Sequence, residues 1–292
     1  MISRAILLAG AVLSLIIAAS PALSRAKDTV RWMEAVMPPF FIQEGPSKGK
    51  GYGDEITKII EQQLTDYEHD EVITNITRHF YKFKQGEQVC SVGLYKTPER
   101  EEFMYFSLPS FLTLPPVIII KKDRHAAFNN RASVGLEEIL SNKTLMIGLV
   151  KDRSYGTTLD GILAKHKEQK NVVKFTGQEL SHNLFKMLMM DRLDGLIGLP
   201  EEALYQAEQM GIRDQLMTLI IEENQNNYNG WMSSVGCSKN EWGRKIIAQI
   251  NLVLLKQRPT EQYRAAYERW LDPNSIENYR KVYREVFLNT VQ

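Results

Sequence analysis

Cys90-Ser-Val-Gly-Leu-Tyr-Lys-Thr-Pro-Glu-Arg-Glu-Glu-Phe-Met-Tyr-Phe-Ser-Leu-Pro109 is the stretch on which the fold turns. It reads as a strand, a turn facing a ligand, a short helix and a second strand. Thr97 before Pro98 is a helix start: the hydroxyl accepts from a free amide, and proline takes the first helical position, where no amide hydrogen is required. Arg100 then falls in the first turn, where the helix dipole disfavours a cation. A purely structural helix start would carry Asp or Glu there, so the pattern predicts an anion held by the helix start and the guanidinium together. The competing reading of Arg100 is a surface ion pair with Glu101 or Glu102, which contributes little.

At 292 residues with 43% apolar content, the chain can build two domains with real cores and is not a disordered protein. Met-Ile-Ser-Arg4, an apolar run over residues 5–20 and Pro-Ala-Leu-Ser24 have the layout of a secretory signal peptide cleaved near Ser24. The run is near the short limit for a membrane span, which disfavours an uncleaved anchor. Removing residues 1–24 takes away only Arg4, leaving 35 basic residues against 35 acidic ones. A chain of zero net charge, with no basic stretch interleaved with aromatics, gives no reason to expect a nucleic-acid or anionic-membrane partner. An exported chain can pair its two cysteines, Cys90 and Cys237, and two isolated cysteines do not make a zinc site.

Elsewhere the pattern alternates between strands and helices. Residues 30–36 read as a first strand, broken by Met37-Pro-Pro-Phe-Phe41. After the glycine-rich turn at residues 45–53, Ile56, Ile59, Ile60 and Leu64 mark one face of a helix. No Lys-Ser or Lys-Thr follows these glycines, so they are not a nucleotide-phosphate loop. A strand around residues 71–75, a helix before Gly86 and the strand 90–94 complete a βαβα unit, which implies an α/β fold with mostly parallel sheets. A second unit begins after the extended run 111–122, with a helix from residue 134, a buried strand ending at Val150 and the loop Lys151-Asp-Arg-Ser-Tyr-Gly156. Helical spacing covers 159–167, 180–190 and 201–210, and a short buried strand covers 193–198. Met187, Met189 and Met190 read as core filler. A strand at 231–237 and helices at 241–256, 260–271 and 274–291 finish the chain.

No serine elbow, His-Glu-x-x-His or Cys/His pair can be assembled, and the five histidines are scattered, so no catalytic residue or metal site is assigned. Glu99, Glu101 and Glu102 occupy helical positions that point in different directions and do not form an acid/base pair.

The order of these elements and several phrases resemble the type II periplasmic solute-binding proteins, family 3, which includes the polar-amino-acid binding proteins of uptake transporters. The phrases are Lys96-Thr-Pro-Glu-Arg100 leading to Phe106-Ser-Leu-Pro109, Pro39-Phe40, Gly51-Tyr52, Leu136-Glu-Glu-Ile-Leu before Ile147-Gly-Leu-Val, and Arg192-Leu-Asp-Gly. The resemblance implies a two-lobe α/β protein with a ligand cleft between the lobes. Residues 25–115 and 232–292 would form lobe 1, residues 116–231 lobe 2, with hinge crossings near 112–117 and 228–232. It implies a periplasmic, non-enzymatic monomer that binds a small solute, uses no cofactor, and works with an ABC-type permease or a membrane sensor.

In such proteins the turn arginine clamps a carboxylate through two parallel donors, a place held here by Arg100. Tyr95 and Thr97 map beside it, Arg153, Ser154 and Tyr155 map to the second-lobe loop, Phe40 to the aromatic wall, and Glu34 near the ligand amine. The family's ammonium-binding aspartate is replaced by Leu199-Pro200, with Glu201 adjacent, which counts against an ordinary α-amino acid. The same fold reading sets the returning strand beside the strand of Cys90 and predicts a Cys90–Cys237 disulfide. A ligand-sensing or envelope-interaction protein without a transporter is the alternative function.

Overall fold

The computed structural model describes residues 27–176, 180–225 and 227–290; the expected signal peptide lies outside the described residues. Eleven strands occur among them: β1 (Thr29–Glu34), β2 (Glu68–Ile73), β3 (Val89–Leu94), β4 (Met104–Leu112), β5 (Val117–Lys121), β6 (Ser133–Val134), β7 (Ile147–Val150), β8 (Val172–Phe175), β9 (Gly195–Gly198), β10 (Leu216–Ile221) and β11 (Met232–Ser238). They form two mixed sheets, ordered β2-β1-β3-β11-β4 and β6-β10-β5-β9-β7-β8. In the first, β1 runs parallel to β2 and β3, whereas β11 is antiparallel to both β3 and β4. This is an α/β fold of two lobes, each built on one of the sheets.

Local chemistry accounts for the placement of the first sheet. The helix Tyr52–Gln63 buries Ile56, Ile59 and Ile60 on the stripe set by its spacing, against Val30 and Trp32 of β1. β2 is an edge strand with a polar, largely exposed pattern, and it lies a little earlier than its sequence suggests. β11 sits between two neighbours and is buried along its length, which suits its small residues Ser233, Ser234 and Gly236. Cys237 faces Cys90 across this antiparallel pair, and the two form a disulfide spanning 147 residues of sequence.

After β11 the helices Glu241–Gln257, Glu261–Glu268 and Pro273–Val282 return to the first lobe. They bury Ile246, Ile250, Leu254, Tyr263 and Tyr267 in the same core as Val30 and Ile56. Met187 and Met189 pack on the apolar cluster of Leu184, Phe185 and Leu188, but Met190 is exposed.

The chain passes between the sheets after Leu112 and again before Met232, and the passages run side by side: the Thr113 N–H donates to the Trp231 carbonyl at 3.0 Å. No helix among the described residues is long and apolar enough to cross a membrane.

Candidate functional site

Ligands of open α/β sheets bind beyond the carboxyl ends of the strands. Here the residues following β1, β3, β7 and β9 converge on one cavity of about 80 Å³ between the lobes. Ala35, Phe40, Phe80, Tyr95 and Arg100 line it from the first lobe, and Asp152, Arg153, Ser154 and Leu199 from the second. An apolar cluster seals it, setting Ala35, Met37 and Phe40 of the first lobe against Val117, Val150 and Leu184 of the second. Gly93 makes the wall possible. It adopts φ +77°, and a Cβ there would stand 2.2 Å from Cζ of Phe40, whose ring packs at a tilt on Phe41 and Tyr52 and edge to face on Phe111.

Thr97 caps its helix as expected, accepting from the Arg100 amide at 3.3 Å. The helix Pro98–Glu101 is only four residues long, so it has little dipole of its own and the cationic character resides in the side chain. The Arg100 guanidinium is buried, stacks 4.4 Å from the Phe80 ring centroid, and donates to the carbonyl of Tyr95 at 2.9 Å and, across the lobe boundary, to that of Asp152 at 3.2 Å. A guanidinium has five N–H donors, so these two bonds leave others for a solute. Burial lowers its pKa to about 10 despite the nearby Asp160, Glu99 and Asp152, and it remains a cation at neutral pH. Asp152 also ties the lobes through its carboxylate, which accepts from the Thr77 hydroxyl at 2.6 Å.

Of the residues selected by sequence, Phe40, Tyr95, Arg100, Arg153 and Ser154 line the cavity, whereas Glu34, Thr97, Tyr155 and Glu201 do not. Burial pushes the Tyr95 phenol up to about 12, and its side chain is hydrogen-bonded with Thr113. Arg153 is committed to its own lobe: it donates one hydrogen bond to Glu202 at 3.1 Å, makes an ion-pair contact with the other carboxylate oxygen at 2.9 Å, and lies over the Tyr155 ring. Burial acts against its charge, but Glu202 prevails and holds its pKa above the ordinary range. Ser154 donates to Asp160. The Tyr155 hydroxyl accepts from the Val150 amide at 2.9 Å, and its ring is in the second core.

Glu34, the last residue of β1, is buried outside the cavity lining and accepts from Gln43 at 2.6 Å; its other oxygen has no partner. Burial, with Asp54 and Glu71 nearby, raises its pKa to about 8. Glu201 is fully buried between the lobes, bound by two tyrosines.

The sequence profile of the bacterial extracellular solute-binding proteins, family 3, matches residues 32–273. The chain belongs to that family. No curated relative matches it. Among solved structures, this family member is similar to an ancestral arginine-binding protein bound to arginine, at 19% identity, TM-score 0.65 and coverage of 85% of this chain and 100% of that one. It is similar to the arginine-, lysine-, histidine-binding protein ArtJ of Geobacillus stearothermophilus, at 16% identity, TM-score 0.64 and coverage of 86% and 99%. A histidine kinase sensor domain with similarity to periplasmic binding proteins also matches, at 16% identity, TM-score 0.63 and coverage of 85% and 97%. At these identities the likeness establishes the fold.

Among the wall residues of this solute-binding protein that the sequence does not single out are His79, Phe80, Phe111 and Asp152. Phe80 lies in a helix and Phe111 in a strand, and nothing in the sequence distinguishes a ring that packs on Arg100 from one in the core. His79 is held neutral by burial, its pKa lowered to about 4 although its Nε2 bonds to the Glu34 carbonyl.

Proposed function

We propose that this protein is an exported, periplasmic solute-binding protein of a transporter, and that its interlobe cleft takes a small carboxylate with an uncharged, largely apolar body. The observation that carries this reading is the composition of the cavity wall. A buried arginine with N–H groups to spare stands among Phe40, Phe80, Phe111 and Leu199. Arg153, the second cation on the wall, is already neutralised by Glu202. An α-amino acid would bring an ammonium group as well. The carboxylates nearest to Leu199 along the chain, Glu201 and Glu202, are occupied by tyrosines and by Arg153, which leaves the ammonium no ready acceptor there. A volume of about 80 Å³ also favours a compact solute over a long side chain.

A charge-assisted bond from Arg100 to the carboxylate contributes about 1.5–3 kcal/mol. Titration calorimetry with acetate, propionate, butyrate, benzoate and the α-amino acids should find binding among the simple carboxylates, and Arg100→Ala should weaken it by at least tenfold. Lysine keeps the charge but loses the planar fork, so Arg100→Lys should also bind poorly. Tight binding of an α-amino acid would overturn the solute class, and undiminished binding by Arg100→Ala would overturn the site.

A further inference from the structure

Glu201 is the second residue of the helix Pro200–Met210, which packs through Ala203 and Ala207 on the apolar cluster of Val117, Leu184 and Leu196. Its carboxyl points the other way. One oxygen accepts from the Tyr52 hydroxyl at 3.1 Å and the other from the Tyr267 hydroxyl at 3.0 Å. Both tyrosines belong to the first-lobe core, where their rings meet edge to face at 5.0 Å. The Tyr267 hydroxyl also accepts from the Leu114 amide at 2.8 Å, on the passage between β4 and β5. Both side-chain bonds of Glu201 therefore cross the lobe boundary, and opening would break both while admitting water.

Burial and the neighbouring carboxylate disfavour an anion here and outweigh the tyrosine hydroxyls and the backbone amide at the helix start, which favour one. Glu202 is next to it on the same helix, paired with Arg153 from the loop after β7. Tyr52, Tyr267 and Tyr95 face it from the first lobe, and none of them is a cation. A neutral acid keeps both contacts, because its own O–H can donate in one of them.

We propose that Glu201 is a proton-operated latch of the cleft: lobe closure seals its carboxyl between Tyr52 and Tyr267 and takes up a proton, so acidification favours the closed form. This adds regulation to the interlobe cleft read above as the solute site, and it rests on that reading only in taking the two lobes to open and close. Burial, reinforced by Glu202, raises the acid from its ordinary 4.5 to about 8 in the closed form. Once open and hydrated, it returns toward the ordinary value. Below that value both forms are protonated and closure does not respond to pH. Between it and about 8 the closed form holds the extra proton, so the closed-to-open ratio falls by up to tenfold per pH unit as the pH rises. Glu34 and Asp54 also have raised pKa values, but their hydrogen-bond partners lie within the first lobe and move with them.

Small-angle scattering of the solute-free protein at pH 5, 6.5, 8 and 9 tests this. The wild type is expected to expand as the pH rises, whereas Glu201→Gln, a neutral mimic of the protonated acid, stays compact throughout. A wild-type radius of gyration that does not change, or a Glu201→Gln protein that expands like the wild type, overturns the latch. Should Glu201→Gln fail to fold, infrared difference spectra of the wild type against Tyr52→Phe serve instead. A protonated-carboxyl band at pH 7 that shifts in Tyr52→Phe supports the latch, and its absence overturns it. Since no solute is present, failure of the carboxylate reading in calorimetry would leave these outcomes unaffected.

Discussion

Replacing Glu34 by glutamine should stabilise the fold, increasingly so at higher pH. Glu34 is 1% exposed, keeps one bond from Gln43 and leaves its second oxygen bare. Burial, then Asp54 and Glu71, raises its pKa from 4.5 to about 8, so the folded chain holds a proton that the unfolded chain releases. The stabilisation is complete below the unfolded value and is lost as the pH rises through the folded one. At about 1.4 kcal/mol per unit, the loss accumulated by pH 7 is at most roughly 3.5 kcal/mol. Glutamine has the same shape and no proton to lose. Urea unfolding should find Glu34→Gln equal to wild type near pH 4.5 and more stable by roughly 2–3 kcal/mol at pH 7. Asp54 and Glu61, also raised by burial, leave pH dependence in both proteins, and the difference between the two isolates Glu34. A difference that is flat with pH, or a variant less stable than wild type at pH 8, refutes the reasoning.

Two further outcomes follow from the packing. Replacing both Cys90 and Cys237 by alanine opens a loop spanning 147 residues and should cost about 2–5 kcal/mol, read from the shift of the urea midpoint. Gly93→Ala strains a backbone at φ +77° and drives Phe40 off the cavity wall; melting should show a loss of about 1–3 kcal/mol, and near-ultraviolet dichroism a disturbed aromatic cluster.

The first sheet was legible because its signals are local. Pro98 behind Thr97, the stripe Ile56, Ile59 and Ile60, and the glycines after β1 each specify one backbone state. β8 and β10 went unassigned, although β10 joins β5 and β6 in the second sheet. Leu-Met-Thr-Leu-Ile-Ile is a short apolar run with no flanking glycine or proline, and periodicity alone does not separate it from buried helix. The site was legible in part. Arg100 could be located from its turn, but its bonds to the carbonyls of Tyr95 and Asp152 depend on how two distant segments meet. Likewise Glu201 stands 149 residues from Tyr52 and 66 from Tyr267, so nothing local in the sequence betrays their contact.

The disulfide has a topological consequence. Strands β5 through β10 all lie between Cys90 and Cys237, so the entire second sheet is strung on a covalently closed ring whose clasp is in the first. A protease that nicks any one bond between the cysteines cuts the chain but releases no fragment. The two pieces stay joined by sulfur and part only under a reductant.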